Sequence, residues 1–208
     1  MDSELGRLLD KLDETRQATN TIVVYTSDHG TMMGSHGYGG KRLPFDEACK
    51  APFLLRYPGA VPAKRTTDVL LGAIDLFPSL CGLARVPIPP HCEGMDLSDA
   101  MRGDRMNAPE SAFLMHIQKT NAGGEGGRRA PLFRGVRTQR FTYAIADTGR
   151  WCLYNNQEDP FQMRNLIDEP AHARTAADLE ELVFDWLRRA HDPFPLDAAR
   201  RRRSVHAV

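Results

Sequence analysis

No hydrophobic run in this sequence approaches the roughly 20 residues that a membrane helix requires, so no membrane partner is expected. The opening MDSELGRLLDKLDE lacks a basic segment followed by an apolar core, and so lacks the form of an export signal. As written, the chain is expected in the cytoplasm, and in the periplasm or outside the cell if its true start lies upstream. Neither sign of charge is in excess, with 27 Lys plus Arg against 27 Asp plus Glu. No global field therefore points to nucleic acid or an anionic surface, and an anion site must be built locally. Cysteine is scarce. Cys49, Cys81, Cys92 and Cys152 show no CxxC or Cys/His spacing of the kind that holds zinc, and are expected to be reduced and buried. Internal repeats are absent. The glycine run NAGGEGGRR, residues 121 to 129, lacks the GxxxxGK[ST] order of a phosphate cradle and reads as a loop.

What is present is ordinary globular material, 41% apolar and 26% charged, enough for one sizeable core or two small ones. Leu5, Leu8, Leu9 and Leu12 fall at the spacing of a one-sided helix, which Asp2 or Ser3 can cap. Thr21 to Thr26 is a short β-branched run, expected as a strand of a parallel sheet covered on both faces. Ala51 to Tyr57 (APFLLRY) reads as a second strand closed by Pro58 and Gly59. Asp68 to Leu83 reads as a helix in which Pro78 starts a new turn or makes a kink. A helix followed by a strand of this kind is an α/β signature.

The sequence turns polar around Arg102 to Glu110, and its character then changes. Short strands are expected at Ala112 to Ile117, Gly135 to Thr138, Phe141 to Ala146 and Trp151 to Tyr154, with Asp147 to Arg150 as a hairpin turn. Leu179, Leu182, Val183, Trp186 and Leu187 stripe a helix able to cover one face of that sheet. Trp151 and Tyr154 are expected in its core. Gln157 to Asn165 reads as a turn with caps, and the arginines at 200 to 203 as a solvated end. Two units follow, 1–108 and 109–208.

The chemistry concentrates in TIVVYTSDHGTMMGSHGYGGK, residues 21 to 41. Ligands of open α/β sheets sit beyond the carboxyl ends of strands, and Asp28 and His29 stand at such an end. A hard carboxylate oxygen beside an imidazole nitrogen can hold a divalent cation. The glycines that follow allow close approach, and Lys41 can bring a positive charge to an oxyanion. The same residues also read as an ordinary loop. His36 reads as a ligand, an orienting donor or a loop hydrogen-bonder, the last two being favoured.

Taken together, several segments resemble the sulfatases of the alkaline phosphatase superfamily. NTIVVYTSDHGTMMGSHGYGGK is similar to that family's strand, metal-binding Asp-His or Asp-Asn, GxHG turn and Lys. APFLLRYPG, AIDLFPSLCGLA, EGMDL, RGVRTQRFTYAI and LYNNQEDPFQMRNL follow in the family's order. The resemblance implies an α/β fold: the later part of an alkaline-phosphatase-like sheet domain over 1–108, then a small antiparallel sheet packed by a C-terminal helix over 109–208. It implies a metal-dependent sulfuric ester hydrolase acting on a sulfated small molecule or sugar, with calcium as the usual cation and formylglycine as nucleophile. Carried onto this chain, Asp28 and His29 are metal ligands and Lys41 is the catalytic, substrate-binding lysine.

Two departures qualify that expectation. The nucleophile motif, Cys or Ser then x-Pro-x-Arg, follows none of the four cysteines and no serine. The family's N-terminal portion, with its Asp pair and further basic groups, has no counterpart in the sequence. Calcium takes about six to eight oxygen ligands, and the Asp28–His29 pair offers a fraction of them. The chain is therefore expected to be inactive alone, as one half of a split enzyme, a non-catalytic remnant, or the later part of a longer one. A phosphonate or phosphate ester hydrolase of the same superfamily is the alternative chemistry.

Overall fold

The computed structural model describes residues 1–104, 108–117 and 130–196. The glycine-rich run at 121–129, the arginines at 200–203 and His206 lie outside the described residues. In chain order the elements are α1 (Asp2–Glu14), β1 (Val23–Thr26), α2 (Asp46–Cys49), β2 (Phe53–Arg56), α3 (Ala73–Ala84), α4 (Ser98–Arg102), β3 (Ala112–His116), β4 (Phe133–Arg137), β5 (Phe141–Ala146), β6 (Gly149–Asn155) and α5 (Ala173–Arg189). They form an α/β molecule of two compact units, Met1–Asp28 with Pro52–Pro109, and His29–Ala51 with Glu110–Val208. Residues 29–51, which the division at 108/109 assigns to the first unit, thus group with the second.

In the first unit the leucine stripe does form α1, but the helix has no buried residue and no side-chain cap at its start, where Met1 rather than Asp2 or Ser3 precedes the first turn. β1 pairs with β2 antiparallel, Val23 opposite Arg56 and Thr26 opposite Phe53. The expected parallel pairing covered on both faces is not observed, since Tyr25 and Thr26 are exposed. β-branched residues favour extended backbone without specifying the direction of its neighbour. The helix expected from Asp68 begins only at Ala73, and Pro78 lies inside it. Proline has no N–H to offer the carbonyl four residues back. That carbonyl belongs to Ile74, and Gly94 packs so closely on it that a Cβ at 94 would lie 2.0 Å from the oxygen. Buried Asp75 completes the junction by accepting from the Gly72 and Met95 amides at 2.9 and 2.8 Å.

In the second unit β3, β4, β5 and β6 form an antiparallel sheet in sequence order. The β5–β6 hairpin turns at Asp147–Thr148, with Ala146 opposite Gly149, as the DTGR segment predicts. Strand alternation sends Val136, Tyr143, Ile145 and Leu153 to one side, where Ala176, Leu179, Val183 and Leu187 of α5 cover them. On the other side Phe133, Ala144, Trp151, Cys152 and Tyr154 pack with Met32, Leu43, Phe45 and Ala48. The segment after His29 is therefore the second cover of this sheet. Its four apolar residues follow neither helical nor strand period, so their destination does not show in the sequence.

Candidate functional site

Asp28 closes the first unit. It follows β1 by two residues and is exposed, and the Ser27 hydroxyl donates to its Oδ1 at 3.4 Å. His29 opens the second unit and is half-buried. Its Nδ1 lies 2.6 Å from the Gly30 carbonyl oxygen, and its Nε2 meets the ammonium of Lys41. A carbonyl only accepts and an ammonium only donates. The proton of the neutral ring therefore sits on Nδ1, and the Nε2 lone pair faces a cation. A backbone carbonyl fixes the tautomer in the same way in metal-ligating histidines. The structure thus brings His29 and Lys41 together across twelve positions of sequence.

The loop between them is held by its own backbone. The Met32 amide donates to Gly40 O at 2.7 Å, and Gly34 N to Tyr38 O at 2.9 Å. Gly34 sits at φ +99°, where a side chain would be strained. His36 has φ 54° and stacks on Phe45 with ring centroids 4.0 Å apart. Its Nε2 lies 3.7 Å from Glu47 Oε1. Its contacts are thus a ring stack and a charge neighbour beyond hydrogen-bond range, rather than the donor or loop hydrogen bond that the favoured readings expect.

Beneath the loop lie residues that the sequence did not single out. Arg137 of β4 grips the Asp46 carboxylate with Nε at 2.9 Å and Nη2 at 3.1 Å. Gln162, 1% exposed, accepts from the Asp46 amide at 2.7 Å and donates to Thr142 Oγ1 and Asn156 Oδ1 at 3.1 and 2.9 Å. Both residues fall in segments that carry the family resemblance, but nothing in their spacing names the partner.

All four cysteines are free, Cys152 buried and the other three half-buried rather than buried as expected. Burial first, then the Asp46 charge, pushes the Cys49 thiol up to about 12, and its sulfur donates to Leu43 O at 3.2 Å. Burial likewise raises Cys152. Both are neutral thiols at ordinary pH and serve as packing rather than as nucleophiles.

Among the described residues no group of three or more His, Cys, Asp or Glu is gathered as for a metal ion. The donor chemistry of Asp28 and His29 suits a divalent cation, but a coordination sphere of about six to eight needs donors beyond them. No helix among the described residues is long and apolar enough to cross a membrane.

Residues 34–188 match the family model described as N-sulphoglucosamine sulphohydrolase, C-terminal. The chain is 33% identical over 196 residues to an ulvan-active sulfatase of Formosa agariphila, covering 93% of this chain and 38% of that protein. A structure solved in complex with its substrate D-glucosamine-2-N,6-O-disulfate superposes with a TM-score of 0.82 at 26% identity, covering 94% of this chain and 40% of that one. The phosphonate monoester hydrolase of Agrobacterium radiobacter superposes with a TM-score of 0.76 at 27% identity, covering 91% of this chain and 39% of the other. The chain belongs to the alkaline-phosphatase-like sulfatase family, and its matches lie in the family's C-terminal region. It spans about two fifths of the length of these relatives.

Proposed function

We propose that this chain supplies one wall of a sulfuric ester hydrolase site, with a sulfated sugar as substrate. Lys41 binds the sulfate oxygens and places positive charge where charge develops on them. Asp28 and His29 would be ligands for a divalent cation, calcium by family expectation, His29 through the Nε2 that Lys41 vacates on turning to the sulfate, and the cation when bound would supply further charge to those oxygens. The observation that carries this reading is the arrangement of His29, its Nδ1 committed to a backbone carbonyl and its Nε2 turned to the Lys41 cation. The sulfatase and glucosamine-disulfate relatives support the substrate class. The attacking group, a formylglycine by family expectation, belongs in this reading to a portion that the relatives carry outside the matched region, supplied in the same polypeptide or by a separate one.

The test compares 4-nitrophenyl sulfate hydrolysis by the 208-residue chain alone and by the chain supplied with a nucleophile-bearing sulfatase portion. Alone, background turnover is expected. In the complete site, Lys41→Ala is expected to lower kcat/KM by about 10²–10³, the usual loss of a charge-stabilising donor. Metal-dependent hydrolysis by the chain alone that Asp28→Ala leaves unchanged overturns the reading. The phosphonate monoester hydrolase neighbour favours a second substrate class with the same tetrahedral geometry. Turnover of a phosphonate monoester above that of the sulfate ester selects it.

A further inference from the structure

The small C-terminal sheet reaches the candidate site through an unbroken series of contacts within the second unit. Arg137 of β4 holds the Asp46 carboxylate through two nitrogens, and Gln162 holds the Asp46 amide. Asp46 begins the one-turn helix α2, and the Ala48 carbonyl of that turn accepts from Gly30 N at 2.9 Å. Gly30 is pressed so closely on the turn that a Cβ at 30 would lie 2.0 Å from Glu47 O. The Gly30 carbonyl in turn accepts from His29 Nδ1, and His29 Nε2 accepts from Lys41.

The series has no slack in it. Gln162 is 1% exposed and spans three partners at once. The Asp46 and Arg137 side chains are each about one-fifth exposed, and a bidentate guanidinium–carboxylate pair fixes orientation as well as distance. Around it Phe45 and Ala48 are buried against Tyr154 and its neighbours. The loop bearing His29 and Lys41 is thus seated on the sheet by polar contacts of fixed geometry surrounded by apolar ones.

We propose that Asp46, Arg137 and Gln162 are positioning residues for His29 and Lys41, so that the C-terminal sheet sets the tautomer of His29 and the placement of the anion-binding lysine. This rests on the sulfate-ester reading for its purpose, though not for its geometry. A sheet that only filled space would need the apolar cover alone. Arg137 instead donates to Asp46 and Gln162 accepts from it, so both contacts converge on one residue, two positions before the carbonyl that holds Gly30.

The test uses the full 208-residue chain with Arg137→Ala, Arg137→Lys and Gln162→Ala. The readouts are the ¹⁵N signature of the His29 ring at a single pH and amide exchange at Gly30 and at Tyr143, a central residue of β5. A positioning role predicts that Arg137→Ala raises Gly30 exchange about tenfold or more over any change at Tyr143, as a local opening does, and mixes the two His29 tautomers. Arg137→Lys, which keeps the charge but loses the fork, should fall between wild type and Arg137→Ala. An unchanged His29 signature, with Gly30 and Tyr143 exchange rising together, overturns the proposal and makes the pair a stability device only. Should Arg137→Ala not fold, Arg137→Lys and Gln162→Ala carry the same two outcomes. Titrating the chain supplied with a nucleophile-bearing sulfatase portion, first with calcium and then with inorganic sulfate, separates the two readings. No response of the His29 and Lys41 signals counts against the sulfate-ester reading and leaves the positioning result standing.

Discussion

The two units treat their large apolar residues differently. In the first, Leu54 is 62% exposed and Phe77 55%, Ile74 and Val86 are also exposed, and α1 buries nothing despite its leucine stripe. In the second, Val136, Tyr143, Ile145, Leu153 and Val183 are sealed at 0%, with one cover on each face of the sheet. Both units also expose single apolar side chains, Phe161 and Met163 in the second among them, and the first buries Leu83 and Leu97, so the difference lies in the larger, two-sided core of the second. His29 and Lys41 belong to the self-contained unit. The candidate anion-binding lysine therefore rides on the unit that carries the four-stranded sheet.

The contrast is sharpest when the same substitution is made in both units. Phe133→Ala removes a ring that is 2% exposed and packs edge-on against Trp151 at 5.4 Å, and should cost about 3–5 kcal/mol. Phe77→Ala trims an exposed ring and should stay within about 0.5 kcal/mol. Urea denaturation followed through Trp151 and Trp186 reports the first, and exchange of β1 and β2 amides the second. Equal losses would break the comparison. Next in size is the pair Arg134–Asp192, bonded at 2.7 and 3.0 Å with side chains only 8% and 10% exposed. Asp192→Ala leaves a buried guanidinium without its partner and should cost about 3–5 kcal/mol.

Alkaline pH should act on the second unit next. Burial raises Cys49 from 9.0 to about 12 and also raises Cys152, Tyr143 and Tyr154. For Tyr143 the Glu180 carboxylate, which accepts from its hydroxyl at 2.5 Å, adds to the effect. These acids stay protonated in the fold after the unfolded chain has lost their protons, so the unfolded state binds fewer protons and stability falls as pH rises. The contribution is complete below the unfolded values, near 9 for the thiols and 10 for the phenols, and is lost above them. Each group adds a slope of at most about 1.4 kcal/mol per pH unit. Urea midpoints across pH 8 to 11 should decline from about 9, and in the Cys49→Ala, Cys152→Ala chain only from about 10. A flat profile would mean that the fold does not shield these thiols and phenols from water.

The strands and the longer helices were legible from local pattern, because strand and helix period are properties of neighbours in sequence, whereas the short α2 and α4 span too little chain to show a period. Phe141–Ala146 reads the same in both, and the stripe around Val183 is the buried face of α5. The direction of β1 was not legible, since Val23 and Val24 favour extension whichever way a partner runs. Nor was the grouping of 29–51, because Met32, Leu43, Phe45 and Ala48 carry no period and only the sheet they cover explains them. Of the candidate site, Asp28, His29 and Lys41 stood out by type and motif. The contact of His29 with Lys41 depends on how the intervening loop closes, and the Asp46, Arg137 and Gln162 support joins residues 91 and 116 positions apart. Long-range polar contacts of that kind leave no signature in a single sequence.

The smallest effect belongs to the first unit's own ion pair. Arg56 reaches Asp13 through a single nitrogen, at 3.1 and 3.4 Å to the two carboxylate oxygens, and the side chains are 35% and 59% exposed. Its other terminal nitrogen is buried without a hydrogen-bond partner, so this contact lacks the fork that Arg134 makes with Asp192. Water already solvates most of the Asp13 carboxylate, and such pairs are worth about 0–1 kcal/mol. Asp13→Ala should therefore shift the exchange of β2 amides by less than about fivefold, and even that difference should fade between 0.05 and 0.5 M salt, roughly the range over which screening shortens below the reach of a surface pair. A loss as large as that of Asp192→Ala, and indifferent to salt, would mean that Arg56 is sealed as tightly as Arg134.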